Sequence, residues 1–257
     1  VTTDPFTGRA VPLTAEGVAR FTAITQSDTA SMWAVLSTET SGCGFLPDQR
    51  PKILFERHIF HARTGGAYDR SHPGISQPTA GGYGAGGANQ YTRLTAALAL
   101  NQEAALQSTS WGIGQVLGES FRAAGFASVD AMADAMAESE DNQLAAMAAF
   151  IAASRLSLKL SRRDWTGFAV GYNGPDYAKN NYDGVLRQFY AHFVAGRLPD
   201  LTVRAVQIWL TYWQFDPKGI DGAMGADTKA AIVAFQAQHG LGPTGEIDGA
   251  LLAALSA

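Results

Sequence analysis

The stretch Met32-Trp33-Ala34-Val35-Leu36-Ser37-Thr38-Glu39-Thr40-Ser41-Gly42 decides how the chain is read. Met32, Val35, Leu36 and Glu39 fall at helical spacing, so a carboxylate extends an otherwise apolar stripe. Ser27 and Asp28, just upstream, are residue types that cap a helix N-terminus, and Ser41-Gly42 ends the helix. The Glu39 carboxyl therefore emerges on the buried face, at the end of the helix. Burial disfavours the anion, and a carboxyl that opens onto a cleft from such a place keeps its proton near neutral pH. Glycoside cleavage needs a general acid of that kind. Structural pairing of the carboxylate is the competing explanation of the same pattern.

Outward from this helix the chain reads as further helices interrupted by one glycine-rich segment. Val18 and Phe21 mark a helix upstream. Pro51 to His61 (PKILFERHIFH) is apolar, tolerant of β structure and flanked by Pro and Gly, which predicts a short strand or hairpin arm with Glu56 and His58 on one face. Gly65 to Gly87 holds eight glycines with Pro73 and Pro78 and reads as a long loop, of the length that is usually functional or mobile. Leu94 and Leu98 form one helical stripe; Val129, Met132 and Met136 form another. Leu144, Met147, Phe150 and Ile151 form a third in an Ala-rich run expected to be a buried core helix. Asp164 caps a helix that ends at Tyr172-Asn173-Gly174-Pro175. Tyr182, Val185, Leu186, Phe189 and Phe193 mark the last helix of this region.

Ala195 to Pro199 reads as a short linker, so each side is expected to fold on its own: residues 1–197 as one domain and 200–257 as another. The second carries a helix with Val203, Val206 and Leu210. Two turns then repeat four letters, Ile220-Asp221-Gly222-Ala223 and Ile247-Asp248-Gly249-Ala250, each leading into a helix. Asp221-Gly222 forms a tight turn, Gly225 is expected to permit positive φ, and Phe235 and Leu210 fill a small core. Six acids (Asp200, Asp216, Asp221, Asp227, Glu246, Asp248) face three bases (Arg204, Lys218, Lys229) in this unit. Any ligand it holds is thus bound by a groove and hydrogen bonds rather than by positive charge.

Net charge is −4 over 257 residues, so no global basic field points to nucleic acid. No apolar run reaches the ~18 residues of a membrane span. Val1 to Val11 lacks the apolar core of a secretory signal. The lone Cys43 excludes an intrachain disulfide and reads as a small buried thiol, since a cysteine nucleophile needs a positioned histidine. These features suit synthesis in the cytoplasm. His58, His61 and His72 lie close together with Glu56 and Asp69, but show no zinc-ligand spacing, and on a strand His58 and His61 would face opposite sides. The glycines of 81–87 lack the Lys-Ser/Thr of a phosphate loop.

Several segments carry a family resemblance. Glu39-Thr40-Ser41-Gly42 resembles the catalytic Glu-Ser-Gly segment of the lysozyme and lytic transglycosylase superfamily. Ser108-Thr109-Ser110-Trp111-Gly112-Ile113-Gly114-Gln115 is similar to its Gly-x-x-Gln segment, and Ala169-Val170-Gly171-Tyr172-Asn173-Gly174-Pro175 to its Tyr-Asn-x-Gly segment. With Ser41-Gly42-x-Gly44-Phe45-Leu46-Pro47, Lys52 to His58, Gly81-Gly82-Tyr83-Gly84 and Tyr177-Ala178-Lys179-Asn180, residues 14–193 most resemble the N-acetylmuramidase family of phage lysins. Thr40 stands where Ser is usual, and Gly114 where a bulky residue is common. From Val203-x-x-Val206-Gln207 through Gly245-Glu246-Ile247-Asp248, the second unit resembles the peptidoglycan-binding domain type 1. Catalysis first and binding second reverses the order of many such lysins.

The resemblance implies a mostly α fold: a lysozyme-like domain with a small β-hairpin, followed by a three-helix domain. It implies bacterial peptidoglycan as substrate, a monomer with no cofactor, and release to the wall through a holin. Glu39 is the expected general acid, and Glu56 activates water or steadies oxocarbenium-like charge, with Asp48 as the competitor for that role and an ion pair as the plain alternative. Ser110, Gln115, Tyr172 and Asn173 are expected to line the sugar subsites. The rival readings are a lytic transglycosylase, which needs one carboxyl and leaves 1,6-anhydro ends, and a non-catalytic wall-binding virion protein.

Overall fold

The computed structural model describes residues 6–40 and 42–257. Ser41 of the Glu39–Gly42 segment and the first five residues of the N-terminal reading lie outside the described residues. Asp28 caps α2 (Thr29–Glu39) by accepting the Ser31 amide at 2.7 Å, and Thr14 caps α1 (Ala15–Thr25). Met32, Trp33, Ala34, Val35 and Leu36 are all buried, so α2 is enclosed on nearly every side.

β1 (Ile53–Phe55), α3 (Arg57–Thr64), α4 (Asn89–Leu98) and α5 (Gln102–Gln107) follow. β2 (Thr109–Trp111) and β3 (Val116–Leu117) then form a hairpin that pairs with β1, giving an antiparallel sheet of order β1-β2-β3. The register places Ser110 opposite both Leu54 and Leu117. α6 (Val129–Glu138), α7 (Glu140–Ala153), α8 (Ser157–Ser161), α9 (Trp165–Asn173) and α10 (Tyr182–Ala195) complete the first unit. Leu144, Met147 and Ile151 of α7 are fully buried, and α10 packs along α2.

The expected strand over 51–61 is cut short. Only Ile53–Phe55 pairs, and Glu56 then starts α3, its carbonyl accepting the amides of Ile59 and Phe60. Phe60 is buried against Phe55 and Tyr68 with ring centroids 5.8 Å away from each, so tertiary packing rewards a helical period where local composition suggested an alternating one. His58 and His61 thus lie one turn apart on a helix instead of opposite sides of a strand. The hairpin itself comes from 109–117. Gly112 (φ +68°) and Gln115 (φ +46°) turn it, and any Cβ on Gly112 would collide with the Gln143 side chain.

The glycine-rich loop is pinned rather than free. Arg93 donates to the carbonyls of Gly82 at 2.7 Å and Gly74 at 2.9 Å, and the Gln90 amide donates to those of Tyr83 and Ala85, both at 2.8 Å.

In the second unit α11 (Leu201–Tyr212), α12 (Ala226–Gln238) and α13 (Gly249–Leu255) enclose Val206, Leu210, Ile232, Phe235, Leu251 and Leu255. Two buried glutamines clamp the turns that follow their own helices. Gln207 accepts the amides of Asp221 and Gly222 at 3.0 and 2.9 Å while donating to Asp221 Oδ1 and Thr228 Oγ1. Gln236 accepts the Gly245 amide at 2.9 Å and reaches Thr244 and Glu246. Gly222 and Gly245 carry the positive φ; Gly225, where the sequence suggested it, is extended at −99° and precedes α12. The left-handed residue is needed at Gly222, three positions before Gly225, where the backbone folds back onto Gln207.

The units are not connected by a linker alone. Leu201 packs on the first core, Tyr212 donates to the Ala10 carbonyl at 3.1 Å, and Arg204 is buried against Glu140. Replacing Gln207 with Leu strands the buried Gly222 amide and frees the part-buried Asp221 amide. We expect roughly 1–3 kcal/mol of lost stability, read by calorimetry as a lower melting temperature, whereas an unchanged melting curve would mean that water replaces the clamp.

Candidate active site

Glu39 is the last residue of α2, where the helix dipole adds to burial in disfavouring an anion. Its half-buried carboxyl is pushed up to about 7 by desolvation, against the opposing effect of a hydrogen bond donated by the Tyr182 hydroxyl to Oε1. Tyr172 lies beside the same carboxyl. Burial first, and the Glu39 charge second, hold both phenols well above their ordinary range, so both remain protonated donors. Tyr172 donates to the Gly114 carbonyl at 2.7 Å, which ties α9 to the hairpin tip.

That tip is fixed from three sides. Thr40 Oγ1 reaches the Ile113 carbonyl at 3.3 Å, Gln143 Oε1 accepts the Ile113 amide at 2.7 Å, and Gly114 rests on Met147. A Cβ at Gly114 would come within 2.8 Å of the Met147 sulfur, so glycine is required by the close approach of hairpin and α7. Thr40 keeps the hydroxyl that a serine would supply.

The other expected residues fall as follows. Tyr172 and Asn173 end α9, Tyr172 inward and Asn173 exposed. Gln115 turns its amide back to the carbonyls of Gly112 at 2.8 Å and Lys52 at 3.3 Å, shaping the hairpin turn. Ser110 is buried in the middle strand.

Glu56 belongs to a second cluster. Oε2 lies 3.3 Å from His58 Nδ1 without forming a hydrogen bond, and Tyr83, delivered by the pinned loop, stands near the carboxyl, its phenol raised by burial first and by the Glu56 charge second. Asp48 is exposed and spent on Arg50, at 2.6 Å from Nη2 and 3.0 Å from Nε. His61 pairs with Asp69, which also accepts from Ser76. Cys43 is buried, and burial, with the Glu140 charge adding to it, raises its thiol.

Sequence reasoning missed Tyr182, taken as one apolar position of a helical stripe, and Glu140. Only one signal pointed to Glu140: Ser139 caps α7, and a carboxylate follows in the first turn.

A family profile described as N-acetylmuramidase matches residues 28–194. The chain belongs to the N-acetylmuramidase family. A peptidoglycan binding domain profile matches residues 200–255. Among solved structures, the crystal structure of an endolysin from the Burkholderia phage AP3 is 37% identical. That match covers 75% of this chain and 72% of the other, with a TM-score of 0.65. No curated protein matches. This member of the family is therefore a glycosidase acting on peptidoglycan, and the Glu39 cluster lies inside the matched catalytic region. Among the described residues, no helix is long and apolar enough to cross a membrane.

Because the folded state holds the Glu39 proton more tightly than an ordinary glutamate, ionising it costs stability as pH rises from 4.5 to about 7. The penalty is absent below that window and complete above it. Glu39→Gln, which keeps an acceptor for Tyr182, should therefore exceed the parent protein in stability at pH 8 by about 1–3 kcal/mol and match it at pH 4. Denaturant unfolding at the two pH values measures this, and the same difference at both would rule out a burial penalty on Glu39.

Proposed function

We propose that the protein is an endolysin-type lysozyme that hydrolyses the β-1,4 bond between N-acetylmuramic acid and N-acetylglucosamine. Glu39 is the general acid. The observation that carries this reading is the carboxyl at the end of an enclosed helix, held near neutrality and bonded to Tyr182. A carboxyl of that kind gives its proton to the glycosidic oxygen as the bond to the sugar breaks, and Tyr182 stabilises the resulting carboxylate through its hydrogen bond.

Glu56 takes the second role, activating water or steadying positive charge on the sugar. Support comes from its partly unsatisfied oxygen, whereas Asp48 is neutralised by Arg50. Tyr172 and Asn173, at the end of α9, together with the hairpin carrying Ser110 and Gln115, form the sugar-binding walls. The division into a catalytic domain, 1–197, and a wall-binding domain, 200–257, rests on the two separate cores. The enzyme acts as a monomer, is made in the bacterial cytoplasm and reaches the wall through a holin.

The products test the reaction class. Mass spectrometry of digested peptidoglycan should show reducing N-acetylmuramic acid ends, and 1,6-anhydro ends as the main species would make the enzyme a transglycosylase. Glu39→Gln should lower lytic activity at least ~10²-fold, and a folded variant with most of its activity would remove Glu39 from the mechanism. Glu56→Gln should lose turnover while still binding glycan; reducing ends from an active variant would move the second role to another group. With Glu39 acting as the acid, kcat/KM should fall as pH rises through about 7.

A further inference from the structure

The catalytic helix, at Trp33, and Gly42 beyond it both meet a residue from the other unit, Arg204. Glu140, the first residue of α7, and Arg204, in the first turn of α11, are buried against each other, 0% and 1% exposed. Both Arg204 terminal nitrogens donate to the Glu140 carboxylate, and Nη2 also donates to the Gly42 carbonyl at 2.8 Å. The remaining capacity of the carboxylate is used by the Gly44 amide on Oε1 and the Leu13 amide on Oε2, both at 2.8 Å. Gly42 lies three residues after Glu39. On its other side it is closed by Ile220, whose Cβ lies 3.0 Å from where a Cβ of residue 42 would stand. The Arg204 guanidinium also sits 5.6 Å from the ring centroid of Trp33, on α2 itself.

We propose that Arg204 of the peptidoglycan-binding unit is a positioning residue for the catalytic acid, acting through Trp33 on the helix that ends in Glu39 and through its bonds to Gly42 and Glu140. This rests on Glu39 being the acid. The second unit then forms part of the catalytic device, beyond any role as a tether to the wall. An arginine suits the task because its planar fork bonds a carboxylate with two nitrogens and still reaches a carbonyl, which a lysine ammonium does not reproduce. Slackening of these contacts lets water reach Glu39 and lowers its affinity for the proton. The charged and titratable groups around the device are few. Tyr172 and Tyr182 face Glu39, while Cys43 and Tyr212 stand beside the Glu140–Arg204 pair, with Lys52 near Cys43.

The test uses the full chain and soluble glycan fragments, which separates the chemical step from attachment to intact wall. Arg204→Gln alone would strand the Glu140 charge, so the double variant Glu140→Gln/Arg204→Met removes both charges together. It should remain folded by circular dichroism, with kcat down about tenfold and KM within about twofold, a transition-state loss of ~1.4 kcal/mol. Its alkaline limb of activity should move to lower pH by about half a unit. Arg204→Lys, which keeps the charge and loses the fork, should shift the same two quantities in the same direction, and it decides the matter if the double variant does not fold. A folded variant with unchanged kcat and an unchanged alkaline limb overturns the proposal and leaves the pair as a structural rivet. Glu39→Gln is run alongside. If that variant is active, the acid assignment has failed; if it is inactive while the others are normal, the positioning role has failed.

Discussion

The Glu140 carboxylate carries more of this architecture than any other group. It is fully buried, and a buried anion is tolerable only when every lone pair is answered. Here the answers come from Leu13, Gly44 and Arg204, parts of the chain far apart in sequence. Burial by itself would raise the Glu140 carboxyl. The adjacent guanidinium, the hydrogen bonds from Arg204 and the two amides instead hold it below the usual carboxylate range. Along the same helix Gln143 holds Ile113, and Met147 lies under Gly114. One buried helix thus fixes both segments that border Glu39.

Glu39, only half-buried, shows what desolvation does without such partners. Among the described residues no cation faces it and a single phenol donates to it, so desolvation prevails and the carboxyl keeps its proton near neutrality. The two glutamates lie on neighbouring pieces of one core and are driven in opposite directions by their surroundings. The anionic one serves as a joint, and the one that holds its proton is suited to proton donation.

The second unit solves its own packing problem with glutamines in place of charge. Gln207 holds the Asp221-Gly222 turn and Gln236 the Thr244-Gly245 turn, whereas the second Asp-Gly pair starts α13, with Asp248 as its cap. α11 then has two buried faces. Val206 and Leu210 point into its own core, while Leu201 and Arg204 point into the neighbouring unit.

Several features were legible in the sequence by itself: the helical frame, the apolar stripe ending in Glu39, the caps at Asp28 and Asp164, the long glycine loop and the peptidoglycan-binding pattern of residues after 200. Each depends on local period, capping chemistry or glycine content, which act over a few neighbouring residues. The short β1, the helix in place of a strand after Glu56 and the hairpin at 109–117 were decided by packing of Phe60, Trp111 and Gly112 against distant partners. The Glu39 site was half legible. Its carboxyl and Tyr172 stand in recognisable segments, but Tyr182 looked like one more aromatic in a stripe. Glu140 and Arg204 looked like ordinary charges, because only the folded chain brings 64 residues of separation down to a hydrogen bond. Sequence thus set which residues were available for chemistry. The tertiary structure decided which of them lost water, and with it which carboxyl would hold a proton and which would hold a charge.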